Sequence, residues 1–154
     1  MGRSVDYLTN ALFVAYIDTD DIGWNVDEET GERSYDEWIA GEQWKMFKEG
    51  LIENLQDIAP SLQEPSKKRW DVRETLIILE NSHCEIGISE YCGLTSLSIR
   101  IIEDDYHFDG LAEQWIKSVW PKMKAMIDKN YSSLNRVGTF SNGEGVYLRT
   151  TQPA

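Results

Sequence analysis

The sequence predicts an α+β fold in which an antiparallel sheet of about five to six strands carries two helices on one face, in the order β-α-β-β-β-α-β-β. Three observations lead there. Ile86 and Ile88 alternate with Glu85, Gly87 and Ser89, and Leu97, Ile99 and Ile101 alternate with Ser96, Ser98 and Arg100, the period of a sheet with one buried and one wet face. Two longer segments, one around Trp44 and one from Leu111, instead repeat apolar residues every three or four positions, as a helix does. The connections between the expected strands of the middle segment are too short for parallel crossovers, so pairing is antiparallel.

Residues 11–18 form a β-branched and aromatic run that stops at an Asp-rich stretch, and read as the first strand. Residues 19–33 are polar and contain Gly23 and Gly31, which predicts a long acidic loop and a candidate site. Ser34-Tyr35-Asp36-Glu37 has the spacing of a capping box, placing a helix start there. Trp44, Phe47, Leu51, Leu55, Ile58 and Leu62 then share a helical face until Pro60 and Pro65 end the run. Gly41 and Gly50 weaken this helix by roughly 1 kcal/mol each, and Gly41 is a point where a short turn containing Trp38 would split off. The most loop-like break is 60–70, with Lys67-Lys68-Arg69 exposed and Trp70 tucked onto the core.

Residues 76–79 are continuously apolar, and the turns Asn81-Ser82-His83 and Tyr91-Cys92-Gly93 complete a three-strand meander. Leu111, Trp115, Val119, Met123, Met126 or Ile127 and Leu134 predict the second helix, with Asp109 as its N-cap. Pro121 removes one intrahelical hydrogen bond, so that helix is expected to kink or to restart near Trp120. Residues 136–141 and 146–150 flank Asn142-Gly143-Glu144-Gly145, a hairpin signal. With 154 residues, no internal repeat and no composition boundary, the chain is expected to form one domain, 1–154.

Charge is the most informative feature for function. Of the formal net charge of −12, −11 sits in the first 64 residues, where fifteen Asp and Glu face only Arg3, Arg33, Lys45 and Lys48. Phosphates must be met by Lys and Arg, so this half disfavours direct nucleic-acid binding and suits a basic partner. An apolar content of 41% and six Trp exceed what a disordered acidic tail carries, so the charge decorates a folded body. The start lacks the apolar run of a signal peptide, no apolar stretch reaches about 18 residues, and the two cysteines suit a reducing compartment, all of which predicts a cytoplasmic protein away from membranes.

Each constellation that could carry chemistry has a plainer reading. Asp18, Asp20, Gly23 and Glu29 match a calcium loop at positions one, three, six and twelve, yet Ile22 stands where an oxygen ligand is wanted, which favours a solvated acidic loop. His83, Cys84, Cys92 and His107 are all legitimate zinc ligands at unsuitable spacing, so no metal or other cofactor is expected. Cys84 reads as a small apolar strand residue and Cys92 as a turn thiol. Gly87-Ile88-Ser89-Glu90-Tyr91 lacks the second glycine of a nucleophile elbow, and covalent catalysis is not expected. Glu103, Asp104, Asp105, His107 and Asp109 form a second acidic cluster where a strand gives way to a helix, able to hold a divalent cation or simply to be solvated. Lys67-Lys68-Arg69-Trp70 with Arg73 pairs cations with an aromatic ring, but it is short and surrounded by acid.

The opening Met-Gly-Arg-Ser-Val-x-Tyr and the segment from Leu79-Glu80-Asn81 through Cys84-Glu85-Ile86-Gly87-Ile88-Ser89-Glu90-Tyr91-Cys92-Gly93-Leu94 resemble small acidic proteins encoded by bacteriophages and related mobile elements. The resemblance carries no catalytic residue. It implies a setting in the cytoplasm of a bacterial host, among accessory proteins that include inhibitors of host defence nucleases, some of which imitate the charge of DNA. The expected function is therefore non-enzymatic binding to a basic host surface through Asp20, Asp21, Asp27, Glu28, Glu29, Glu32 and Asp36, with Glu103, Asp104 and Asp105, and with Trp24 and Trp38 as aromatic anchors. A divalent-metal module using the 18–29 or 103–109 carboxylates is the alternative. A homodimer through the open face of the sheet is a third reading.

Overall fold

In the computed structural model, residues 11–70, 75–102, 110–142 and 145–149 are described. Among the described residues, nine strands and two helices follow in the order β1 (Ala11–Asp18), β2 (Trp24–Val26), β3 (Arg33–Tyr35), α1 (Glu37–Ile58), β4 (Arg69–Trp70), β5 (Leu76–Glu80), β6 (Cys84–Tyr91), β7 (Leu94–Ile101), α2 (Leu111–Asn130), β8 (Ser133–Thr139) and β9 (Gly145–Arg149). The fold is α+β, with seven strands in one antiparallel sheet of order β4-β5-β6-β7-β1-β8-β9 and β2-β3 forming a separate two-stranded sheet. The main sheet thus exceeds the expected five to six strands, because β4 joins its edge.

The period-two pattern places the core. Ile88 lies opposite Leu97 and Ile86 opposite Ile99, while Ala15 lies opposite Leu97 and Ile17 opposite Thr95. Those side chains therefore share one face. Leu51 and Leu55 of α1 and Ile116, Met123 and Ile127 of α2 join them in a single buried cluster, so both helices cover the same side. Buried Thr19 and Thr95 satisfy one another through a 2.9 Å hydroxyl hydrogen bond. The first strand ends up central, paired with β7 on one edge and β8 on the other.

Four local expectations are corrected. Ser34 lies in β3, and the N-cap of α1 is Asp36, whose carboxylate accepts hydrogen bonds from the amides of Trp38 and Ile39 at 2.9 and 3.0 Å. A capping carboxylate satisfies orphan donors wherever the chain first turns helical, and pairing of β3 with β2 delays that point by two residues. Gly41 splits nothing off, since α1 runs unbroken through it and includes Trp38. α2 likewise runs from Leu111 to Asn130 through Pro121, with no restart near Trp120. Lys117, Ser118, Pro121 and Lys122 are all exposed, so the carbonyl that loses its partner at Lys117 can turn to water. Gly110, with φ 77°, stands at the N-cap of α2 where Asp109 was expected, and makes no side-chain cap; Asp109 itself lies outside the described residues.

The stretch 60–70 is less loose than its composition suggests. Gln63 and Glu80 exchange two backbone hydrogen bonds of 2.9 Å, and Arg69 pairs with both Glu80 and Glu85. Trp70 is 54% exposed rather than tucked onto the core, because its strand lies at the sheet edge.

Candidate functional site

The stretch expected to be a long acidic loop is instead a hairpin. Trp24 pairs with Tyr35, Asn25 with Ser34 and Val26 with Arg33, and all six strand residues are exposed. A three-pair ladder is too short to persist on its own, so its anchorage matters. That anchor is Gly23. Its amide donates to Gln43 Oε1 of α1 at 2.6 Å, and its carbonyl accepts from the Asp36 amide at 2.9 Å. Its φ of 84° and a close approach by the Tyr35 ring leave no room for a side chain. Trp24 packs on Tyr35 at 5.3 Å, and the Arg33 guanidinium lies 4.7 Å from the centre of the Trp24 ring.

The acidic residues of this segment divide into two groups. Asp18, Asp20, Asp27 and Asp36 are engaged in local structure. Asp18 accepts from the Asp20 amide and from Arg149, both at 3.0 Å. Asp20 lies 3.8 Å from Arg33. Asp27 accepts from the amides of Glu29 and Thr30 at 2.8 and 3.1 Å, and these backbone donors, Thr30 foremost, hold its pKa below the usual carboxylate value. Since the folded pKa is lowered, the turn gains from Asp27 above the unfolded value and loses that gain as pH falls through the folded one. Asp21, Glu28, Glu29 and Glu32, by contrast, make no ion pair among the described residues and point their charge outward. Trp24 is 40% exposed and Trp38 74%. Glu103, Asp104 and Asp105 lie outside the described residues.

A second acidic feature escaped the sequence reading although its spacing is visible. Glu42, Glu49, Glu53 and Asp57 fall within about 80° on α1 at 100° per residue, and all four are exposed. They form a crest about 22 Å long on the solvent side of the helix. None makes an ion pair among the described residues.

Among the described residues the calcium-like and zinc-like patterns do not assemble, and His107 lies outside those residues. Among the described residues no group of three His, Cys, Asp or Glu is placed to hold a metal ion. Cys84 opens β6 and Cys92 follows its end, which sets them about 26 Å apart along an extended strand. Burial, aided by the charge of Glu85, pushes the Cys84 thiol up to about 12, so it carries no thiolate at neutral pH. Cys92 is exposed. A thiol-directed alkylating reagent at pH 8 is accordingly expected to add one label to the native protein, at Cys92, and a second only after denaturation. Intact-mass spectrometry reads the difference, and rapid double labelling of the native chain would contradict the burial of Cys84.

On the other side of α1 lies a groove that no sequence motif announced. Trp44 and Lys48 of α1 face Trp70, Leu76, Ile88 and Glu90 across a cavity of about 500 Å³. Lys48 and Leu76 also line an adjoining hollow of about 350 Å³ at the Lys45, Lys67 and Lys68 end. Trp44 and Glu90 continue the groove the other way into a hollow bounded by Asp20, Trp24 and Cys92, at the root of the hairpin. No helix among the described residues is long and apolar enough to cross a membrane. Set against protein-family models, curated proteins and solved structures, the chain matches none of them.

Proposed function

We propose that the protein is a non-enzymatic, phage-type accessory protein that binds a basic surface of a host protein through the β2-β3 hairpin and the α1 crest, and so interferes with a host defence or nucleic-acid-processing system. One observation carries this reading: the hairpin lies outside the main sheet, exposes every strand residue, and presents Asp21, Glu28, Glu29 and Glu32 without ion pairs among the described residues. Like charges gathered on a small hairpin repel one another, and a cationic partner relieves that repulsion. Trp24 at the hairpin root and Trp38 on the first turn of α1 add apolar contact of the kind that dominates interfaces.

Charge density favours general complementarity over imitation of a DNA duplex. A duplex as long as the crest, about 22 Å, carries roughly 13 phosphates. Glu42, Glu49, Glu53 and Asp57 supply four carboxylates over that length. A basic protein patch needs no such density.

The test compares the wild-type chain with the variant Glu28→Gln, Glu29→Gln, Glu32→Gln as affinity baits in bacterial lysate, at low and at high salt. The expected result is a host protein of basic surface held by wild type at low salt, released at high salt, and captured about tenfold less by the variant, equivalent to about 1.4 kcal/mol. Equal capture by both baits would sink the hairpin as the binding element.

A further inference from the structure

We infer that the groove between α1 and the β4-β5 edge is a binding site for a mononucleotide, with its base against Trp44 and Trp70 and its phosphates toward Lys48 and the lysines beyond it. This site adjoins the acidic hairpin and crest proposed above, meeting them at Trp24 and Glu49, but it rests on different observations. The first is size and shape: a concave cavity of about 500 Å³ between a helix and a sheet edge lies in the range that holds small organic ligands. The second is the pair of tryptophans on opposite elements. Trp70 is 54% exposed on a two-residue strand, and its ring already carries a cation, with Lys68 Nζ 5.4 Å from the ring centre. An indole face held at the rim of a cavity is a stacking platform for a planar base, whatever that base is.

The third observation is charge placed against the trend of the molecule. The chain has a net charge of −12 and eight lysines, of which Lys45, Lys48, Lys67 and Lys68 line this groove system. None of the four forms an ion pair among the described residues, although Glu49 and Glu64 line the same end. In so acidic a protein, lysines converging from two segments without an ion pair among the described residues make a local positive pole. Glu49 and Glu64 offset two of the four lysine charges at that end and leave an excess of positive charge there. Glu90 closes the opposite wall, with its Oε1 accepting from the Gly93 amide at 3.1 Å. A carboxylate there accepts hydrogen bonds from the amino group of a base and repels phosphate, which orients the ligand with phosphates toward the lysines.

A mononucleotide suits this arrangement better than a strand. Lysines occupy one end of the groove, whereas Asp20 and Glu90 stand at the other, where a continuing backbone would have to pass. The same base-plus-phosphate chemistry could still arrive as single-stranded nucleic acid, so the test separates the two.

Isothermal titration of the whole chain with ATP, GTP, adenosine, inorganic tripolyphosphate and a short single-stranded oligonucleotide decides the matter. The expected result is saturable binding of at least one nucleoside triphosphate, with the nucleoside alone and tripolyphosphate alone each about tenfold weaker. Trp70→Ala and Lys48→Gln, both at exposed or half-exposed side chains, should each weaken binding by about tenfold, while Val137→Ala, exposed on β8 at the far end of the sheet, leaves it unchanged. Tripolyphosphate binding as tightly as ATP, an oligonucleotide binding more tightly than any mononucleotide, insensitivity to Trp70→Ala, or no heat at millimolar nucleotide would each overturn the assignment.

Discussion

Trp120→Ala is expected to destabilise the protein by about 3–5 kcal/mol and to lower Tm by on the order of 10 °C. Trp120 is 8% exposed and belongs to the cluster in which α2 meets the sheet. Its ring stacks on Phe13 of β1 at 5.3 Å with the planes 7° apart. Because β1 is the strand that joins β7 to β8, a cavity at this point loosens helix, central strand and both neighbours together. Trp120→Phe retains part of the stack and should lose less. Urea unfolding followed by circular dichroism checks both variants: the midpoint should fall with an unchanged m-value. A loss below about 1 kcal/mol for Trp120→Ala would mean that the α2–β1 contact is not a main support of the core.

Gly23→Ala is expected to release the β2-β3 hairpin while leaving the main sheet folded. A Cβ on Gly23 would stand 2.5 Å from Tyr35 Cε2 and 2.7 Å from Ala40 Cβ, in a backbone conformation with φ 84°. The left-handed backbone costs about 1–2 kcal/mol for a residue with a side chain. Overpacking adds about 1–3 kcal/mol. The molecule can escape most of that strain by letting a three-pair ladder detach, which is cheaper than unfolding the core. The global unfolding midpoint should therefore shift by less than this strain. Amide exchange in residues 24–35 should accelerate to near the rate of an unprotected chain, and capture of a basic partner should fall as far as in the Glu28, Glu29, Glu32 variant. Preserved exchange protection across residues 24–35 would show that Gly23 is not the clamp.

How much of this was legible depended on the range of the interaction involved. Ile86, Ile88, Leu97 and Ile99 announced β6 and β7 because the alternation of a strand is written into adjacent residues. The apolar steps from Leu51 to Leu55 and from Val119 to Met123 marked the buried sides of both helices for the same reason, although Leu111, read on the same stripe, is exposed. The N-cap of α1 was misplaced because Ser34 and Asp36 both suit the role, and the choice fell to a hydrogen bond from the Asp36 amide to Gly23, thirteen residues away. The acidic crest of α1 is written in the helical spacing of Glu42, Glu49, Glu53 and Asp57, whereas total charge says nothing of how charge is distributed around a helix. The lysines of the groove could not be grouped from the chain, since Lys45 and Lys48 are separated from Lys67 and Lys68 by the end of the helix and two prolines.

The sequence by itself determined the α+β class, the two helices, the meander from β5 to β7 and the acidity of the first 64 residues, because local periodicity and composition are properties of neighbouring residues. Only the tertiary structure decided that β1 lies between β7 and β8, that the acidic stretch folds into a hairpin strapped to α1 by Gly23, and that Trp44 meets Trp70 across a lysine-lined groove. Those arrangements depend on which surfaces bury one another across the chain, and burial is settled by the whole set of packed elements at once.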